Sequence, residues 1–441
     1  MASKLVLTVA TVGILVMGTF LAASSLPSGK LLRTVPATVD GMTIALPSQL
    51  KSQVRSWLRT ATKSQGRRVI LRYTACGGLV NQHYSHISAF MLALALRAEV
   101  VFPDACYRNS FGLHYDMDVK RNKMEWYLEK AETLWDTSAI QELWSKMGIK
   151  VHLTPNRTGD PLLTQPRVAY PLYNDTQYDP RLVARLPDTY IALQSVSLMV
   201  ARARRAIERR LTPAPEALLR ATDYVVLDMP CAFFALRTAN VLPLATEVAR
   251  ALPFSAAVDA LARRAAVAMA ARGVFAFNGV HLRIEKDAGD WAIILGGQGR
   301  IWHLYCDTLA SARFNASQPL YVASGLLTYG ANKDWETAKR VLMSKRLASR
   351  IIIKDEFVPK FELKALNTEQ MALLDLLILA RAERFVGFGS STFSYYLTQY
   401  RTIHGHSRES SVLVAAPRIG TDEMFSAAAV VTAAPILHLV D

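Results

Sequence analysis

From about residue 68 onward, short apolar runs alternate with longer stretches in which apolar residues recur every three or four positions. The run Val69–Tyr73 predicts a buried strand, and a second such strand is predicted at Val100–Pro103. Between them, His83–Leu96 predicts a helix, because Ile87 and Met91 fall on one helical face. Strand, helix and strand in this order predict a parallel βαβ unit.

The same alternation recurs in the second half of the chain. Helices are predicted at Ala256–Arg272, Gln370–Ala380 and Phe393–Tyr400, and strands at Phe275–Leu282, Pro319–Gly325, Ile351–Ile353 and Arg384–Gly387. Repetition of this pattern in both halves predicts an α/β fold with two doubly wound domains. We place the boundary near residue 260, which gives an N-terminal domain at 67–260 and a C-terminal domain at 261–441.

The N-terminus differs from the rest of the chain. Residues 5–26 are uncharged and apolar, and they are numerous enough to cross a bilayer as a helix. We interpret 1–26 as a signal anchor and 27–66, which is rich in Pro, Ser and Thr, as a stem. A cleaved signal peptide is the alternative, because Ala22 and Ala23 are small enough for processing. Either interpretation directs the remaining chain into the secretory pathway, in agreement with three glycosylation sequons, at Asn156, Asn174 and Asn315.

Composition narrows the class of partner. With 51% hydrophobic and 20% charged residues, most of the chain is expected to fold. The net charge of +15 favours an anionic partner, such as nucleic acid, a membrane surface or a phosphate-bearing substrate. Lys and Arg are spread along the chain without interleaved aromatic residues, which disfavours nucleic acid. The densest basic run, Arg202–Arg205 with Arg209 and Arg210, is interpreted as one solvated face of a helix.

Four cysteines, an even number in an oxidising lumen, allow three disulfide pairings, and we expect structural roles for them. They are Cys76, Cys106, Cys231 and Cys306. Their spacing does not match that of zinc ligands.

Three loops after predicted strands carry candidate chemistry, since ligands of open α/β sheets bind at the carboxyl ends of strands. In the first loop, Gly77 and Gly78 allow a backbone to approach a bound group, and Asn81 lies at the start of a helix. The alternative is that the glycines only form a turn and Asn81 only caps the helix.

The second loop follows His281 and Arg283. An arginine at a strand end can contact a diphosphate through two hydrogen bonds and stabilise charge on a leaving nucleotide. His281 and Arg283 alternate, so both point to the same side of the strand. The alternatives are a salt bridge of Arg283 with Glu285 or Asp287, and a core role for His281.

The third loop contains Ser390, Ser391 and Thr392, a run of hydroxyls at a helix start, where phosphate binds readily. The alternative is a simple Ser or Thr cap. Asp375 lies in the apolar helix before this loop and needs a partner there, which is either a ligand or a structural cap or ion pair.

Together these segments resemble the protein O-fucosyltransferase family, including its large plant branch. The family's Gly-Gly-x-x-Asn-Gln loop corresponds to Gly77–Gln82, and its His-Leu-Arg-x-Glu-x-Asp motif, the most specific, corresponds to His281–Asp287. Its C-terminal block corresponds to Gln370–Asp375 and to Phe385–Ser394. The resemblance covers roughly residues 68 to 401 and is thin between about 120 and 240.

The resemblance implies a GT-B fold, in which two Rossmann-like domains face a cleft and the second holds most of the donor. It implies metal-independent transfer of fucose, with inversion, from GDP-fucose to a hydroxyl of a protein or glycan, without a cofactor. Carried over by position, Arg283 would hold the diphosphate and assist its departure, and Asp375 would accept hydrogen bonds from guanine. The other donor-binding positions are Gly77, Gly78, Asn81, His281, Ser390, Ser391, Thr392 and Phe393.

With the anchor, the resemblance predicts a single-pass type II protein of the Golgi or endoplasmic reticulum membrane, its catalytic part lumenal. The only Asp-x-Asp, at 116–118, falls where the family has an acidic loop, so a metal site is not expected there. No acid occurs at 76–78, where some relatives have a candidate base, so either another residue supplies the base or the donor bond breaks before attack. Two alternatives stay open: a UDP-rhamnose-dependent cell-wall glycan transferase of the same fold, and a catalytically silent lectin-like or scaffold relative.

Overall fold

A computed structural model describes residues 66–75, 77–108, 126–154, 161–162, 178–186, 194–229, 236–237, 241–284, 298–312, 314–328, 332–389 and 391–414. The predicted anchor and almost all of the predicted stem lie outside these residues, as do Cys76, Asn156, Asn174, Cys231, Ser390 and the Asp-x-Asp at 116–118. Within the described ranges, no helix is both long and apolar enough to cross a membrane. Of the cysteines, Cys106 and Cys306 fall within the described ranges, and both are free there.

The first half of the described chain is built around a parallel sheet. Its strands and helices are β1 (Arg68–Tyr73), α1 (Leu79–Leu96), β2 (Glu99–Phe102), β3 (Ala105–Arg108), β4 (Trp126–Glu129), α2 (Thr137–Lys146), β5 (Val151–Leu153), β6 (Pro161–Leu162), β7 (Val183–Arg185), β8 (Gln194–Ser195), α3 (Val196–Leu211), α4 (Glu216–Ala221), β9 (Tyr224–Met229), β10 (Leu236–Arg237) and α5 (Leu242–Arg250). Five of the strands form one sheet in the order β5-β2-β1-β9-β7, and all of its pairings are parallel. The predicted βαβ unit is confirmed in β1, α1 and β2.

The second half contains a second parallel sheet. Its strands and helices are α6 (Ala256–Ala271), β11 (Asn278–Leu282), α7 (Gln298–Ser311), β12 (Leu320–Ser324), α8 (Gly325–Thr328), α9 (Asn332–Ser344), β13 (Ile351–Ile352), α10 (Lys360–Lys364), α11 (Thr368–Leu379), β14 (Phe385–Phe388), α12 (Thr392–Ile403) and β15 (Ser411–Val414). The sheet order is β13-β12-β11-β14-β15, again parallel throughout. Two parallel sheets with helices between their strands confirm the α/β prediction, whereas the domain boundary near residue 260 stays a prediction.

The order of the second sheet fixes where a ligand can bind. Its five strands, taken in chain order, are arranged 3-2-1-4-5, so consecutive connections leave β11 toward one edge and β14 toward the other. Between β11 and β14 the crossovers diverge, which opens a crevice at the carboxyl ends of these two strands. The motif at His281 ends β11, and the hydroxyl loop follows β14.

Helix α1 starts earlier than the sequence pattern predicts, at Leu79 rather than His83. Gly78 is its N-cap residue, in an extended conformation, and glycine has no side chain that could cap the helix. The carboxylate of Glu369, on α11, accepts a hydrogen bond from the Leu79 N–H at 2.7 Å. The second half of the chain therefore satisfies a helix terminus in the first half.

The two halves share more than this one bond. Residues of both sheets and of α1, α11 and α12 belong to a single hydrophobic core. The Tyr396 hydroxyl lies 2.9 Å from Nε2 of His83, and the Tyr84 hydroxyl donates to Gln399. We call the packed set of α1, α11 and α12 the helix junction.

Candidate active site

His281, the penultimate residue of strand β11, contacts the start of helix α12. Its Nδ1 lies 2.7 Å from the Ser394 hydroxyl, which also accepts a hydrogen bond from the Phe388 N–H at 2.9 Å. The ring of Phe393 packs against the His281 ring, with 4.4 Å between the centroids. One histidine and one serine thus hold the ends of β11 and β14 against the first turn of α12.

Burial lowers the pKa of His281 to about 3, and the nearby positive charge of Arg283 acts in the same direction. The imidazole is therefore neutral at physiological pH. The contact of Nδ1 with Ser394 is structural, as the core alternative for His281 predicts. Arg283 is the charged residue that directly follows β11.

Arg283 follows β11 directly and is half-buried. Its backbone N–H donates to the hydroxyl of Tyr305 at 2.9 Å, and that hydroxyl donates to the carbonyl of His281 at 2.8 Å. Tyr305 is fully buried on α7, so it clamps the strand end from which Arg283 projects. The alternative salt-bridge partners of Arg283, Glu285 and Asp287, lie outside the described residues.

The hydroxyl loop leads into helix α12 as predicted, but Ser391 does not act as a side-chain cap. Ser391 is the N-cap residue, and its side chain accepts no hydrogen bond from the helix N-terminus. Its N–H donates to the Phe388 carbonyl at 3.1 Å, and the side chains of Ser391 and Thr392 are buried. The positive end of the α12 dipole therefore lies beside His281, which precedes Arg283 by two residues in the chain.

The glycine loop has the conformation that its glycines allow. Gly77 has φ +73°, and a Cβ built there would lie 2.5 Å from Nδ2 of Asn81. Asn81 is the third residue of α1 rather than its cap, so the capping alternative for Asn81 is wrong. Its Oδ1 is buried without a hydrogen-bond partner among the described residues, as expected of a group that awaits a donor.

We expect Gly77→Ala to lower enzymatic turnover. The substitution meets a left-handed backbone, which costs about 1–2 kcal/mol, and its methyl group displaces Asn81. Gly273→Ala is a matched control, because Gly273 has φ +78° and open space around it. In urea unfolding, Gly273→Ala should show the backbone cost alone and Gly77→Ala this cost plus that of displacing Asn81, and only Gly77→Ala should lose turnover. Equal turnover in the two variants would contradict a role for this loop.

Asp375 lies in a different environment from the other candidates. Its Oδ1 accepts from the Tyr321 hydroxyl and its Oδ2 from the Lys354 ammonium, both at 2.6 Å, and all three side chains are buried. Burial raises the pKa of Asp375, and the Lys354 charge partly offsets this rise. The ion pair that competes with a ligand contact is therefore present, and a guanine contact stays a prediction.

The structure brings most of the candidates to one region. The crevice opens at the carboxyl ends of β11 and β14, and the candidates at or directly after these strand ends are His281, Arg283, Ser391, Thr392 and Phe393. Gly77, Gly78 and Asn81 begin α1, which the helix junction packs against α12. The hydrogen bond from the Leu79 N–H to Glu369 places the start of α1 at the first turn of α11. Asp375 is about 9 Å along α11 from Glu369, toward the helix interior.

The sequence pattern did not indicate two residues that support the site. Tyr305 and Glu369 act across 22 and 290 residues respectively, so local periodicity could not reveal them. Among the described residues, no group of three or more His, Cys, Asp or Glu side chains could hold a metal ion.

Buried neutral histidines predict acid sensitivity. Burial lowers the pKa of His83 and His281 to about 3 and that of His86 well below its usual 6.5. The unfolded chain binds protons near pH 6.5 and the folded chain only near pH 3, so stability is lost as the pH falls through this window. We expect a lower Tm at pH 5 than at pH 7.5 by calorimetry. His281→Gln should weaken this dependence, and the exposed-site control His303→Gln should not; an equal Tm at both pH values would contradict the expectation.

Comparisons with known proteins give a consistent but distant picture. No family model matches the chain, and no curated protein matches it. Among solved structures, POFUT1 in complex with GDP-fucose is 13% identical, with 79% of this chain and 98% of that chain covered and a TM-score of 0.45. Fucosyltransferase NodZ from Bradyrhizobium is 13% identical, with 76% and 93% covered and a TM-score of 0.36. An Arabidopsis thaliana FUT1 mutant in complex with GDP is 13% identical, with 80% and 78% covered and a TM-score of 0.40.

At this identity and these TM-scores, the similarity alone assigns neither a family nor an activity to the chain. The activity has to be inferred from the residues of the chain itself.

Proposed function

We propose that the chain is a glycosyltransferase that moves fucose from GDP-fucose to a hydroxyl of a protein or glycan acceptor. The observation that carries the proposal is the hydrogen bond by which His281, two residues before Arg283 in the chain, contacts the first turn of α12 at the crevice of a doubly wound sheet. A guanidinium and a helix N-terminus both favour a diphosphate, and the carboxyl edge at a reversal of strand order is where such sheets bind nucleotides.

Each residue of the crevice has a role in this proposal. Arg283 neutralises charge that develops on the departing diphosphate, and the first turn of α12, with Ser391 and Thr392, binds phosphate oxygens. His281 stays neutral and fixes the geometry between β11 and α12. Asn81 supplies a hydrogen-bond acceptor from the first half of the chain.

The remaining features follow the sequence analysis. The transfer inverts the anomeric carbon and needs no metal, and the protein is held in a Golgi or endoplasmic reticulum membrane by residues 1–26, with its catalytic part in the lumen. The exposed sequon at Asn315 is compatible with a lumenal location.

The test is donor selection by the full-length chain from a secretory host. We expect binding and slow hydrolysis of GDP-fucose, measured by calorimetry and by release of GDP. UDP-rhamnose under the same conditions tests the alternative donor. Preference for UDP-rhamnose would overturn the donor, and failure to bind either nucleotide sugar would overturn the enzyme proposal.

A further inference from the structure

Helix α3, on the surface of the first half, presents a row of arginines that the site does not use. Arg202, Arg205 and Arg209 lie at spacings of three and four residues, so they project from one face of the helix. We call these three residues the arginine stripe. Another face of the helix is buried in the core through Met199, Ala203 and Ile207. In the stripe, Arg205 and Arg209 are exposed and Arg202 is half-buried.

The stripe lacks local counter-charges. Helix α3 contains one acidic residue, Glu208. Within the described part of the chain, no Asp or Glu side chain forms an ion pair with Arg202, Arg205 or Arg209. Nearby surface arginines are paired, as Arg181 with Asp179 and Arg220 with Glu216 show. A row of unneutralised guanidinium groups creates a positive field that a partner of opposite charge can satisfy.

The direction of α3 relates the stripe to the first sheet. Strand β8, directly before α3, pairs with β10, which follows the carboxyl end of β9. At its other end, Arg210 donates to the carbonyl of Pro180, which precedes β7. Helix α3 therefore runs from the carboxyl edge of the sheet back to its amino edge. The stripe is about 10 Å long. Its Arg202 end is the one nearer to the carboxyl edge of the first sheet, where the glycine loop follows β1.

Resting on the proposed function, we propose that the acceptor is a linear anionic glycan, whose carboxylate or sulfate groups dock on the arginine stripe. One guanidinium per helical turn suits a polymer with regularly spaced anions, and each guanidinium can bind an oxyanion through two hydrogen bonds. Nucleic acid is disfavoured because α3 has no aromatic side chain for base stacking. A membrane is disfavoured because the apolar face of α3 is buried in the protein, which leaves Leu198 as the exposed apolar residue of the helix.

The experiment measures binding of the full-length chain to a heparin decasaccharide, to a neutral dextran oligosaccharide and to anionic phospholipid vesicles. The test variant is R202Q/R205Q/R209Q, since Gln keeps the helix propensity of Arg. The control variant K339Q/R340Q/K345Q removes the same charge from exposed positions in the second half. We expect the test variant to bind heparin roughly 3- to 100-fold more weakly at low salt, with the control unchanged and dextran unbound. The difference should shrink as the salt concentration rises.

Several outcomes would overturn the inference. Equal loss in both variants would mean that only net charge matters, and binding to vesicles but not to heparin would assign the stripe to a membrane. GDP-fucose affinity, measured in the same samples, separates this inference from the proposed function. If GDP-fucose binds but the three arginine substitutions leave heparin affinity unchanged, only the acceptor class is wrong. If GDP-fucose does not bind, the proposed function fails.

Discussion

Arg283→Ala is expected to reduce kcat by about 100- to 1,000-fold with GDP-fucose as donor. Arg283 directly follows β11, and its guanidinium is proposed to stabilise charge that appears only as the diphosphate departs. Loss of such an interaction lowers kcat and kcat/KM together, whereas loss of ground-state binding raises KM. Steady-state release of GDP measures both quantities.

Two companion variants make this result interpretable. Arg283→Lys keeps the charge without the planar fork, so it should recover only part of the lost activity. Arg340→Ala removes an exposed arginine from α9 and should leave kcat unchanged. A kcat for Arg283→Ala within threefold of the parent would show that another group assists the leaving diphosphate.

Asp375→Ala is expected to destabilise the fold by about 3–5 kcal/mol, because it leaves the Lys354 ammonium buried without its partner. Urea unfolding measures this change. A triple variant, Asp375→Leu with Lys354→Met and Tyr321→Phe, should recover most of the lost stability, since every polar member of the cluster is then replaced by an apolar group.

The same triple variant tests the predicted guanine contact. If the cluster is structural, the refolded variant binds GDP as tightly as the parent. If Asp375 also contacts guanine, GDP affinity falls although stability is restored. A loss below about 1 kcal/mol in Asp375→Ala would instead show that Lys354 finds another partner.

Features encoded in consecutive residues were predictable. β1 contains the apolar run Val69–Leu71 and β11 contains Val280 and Leu282, and both strands are buried almost throughout, as expected in a parallel sheet covered on both faces; both were recognised. The predicted start of β11 was three residues too early, since the strand begins at Asn278 rather than Phe275. The loops at Gly77, Arg283 and Ser391 were identified because they follow such strands.

Features that depend on distant partners were not predictable. The start of α1 was misplaced by four residues because Glu369, its capping partner, lies 290 positions away. The sequence did not identify the partners of Asp375, because Lys354 and Tyr321 belong to other elements. The small antiparallel sheet of β3, β4 and β6 was also missed, since its strands have only two to four residues each.

Because of the helix junction, the two sheets have to be produced as parts of one chain. A chain that ended before residue 367 would lose α11 and α12, and with them the acceptor for the Leu79 N–H and the partner of His83. The aromatic face of α1 would then be exposed to water, including Tyr84, which is fully buried in the intact protein. A truncated transcript or an exchange of C-terminal halves between relatives would therefore damage the N-terminal half as well. The first sheet and the crevice of the second sheet therefore have to be inherited and expressed together.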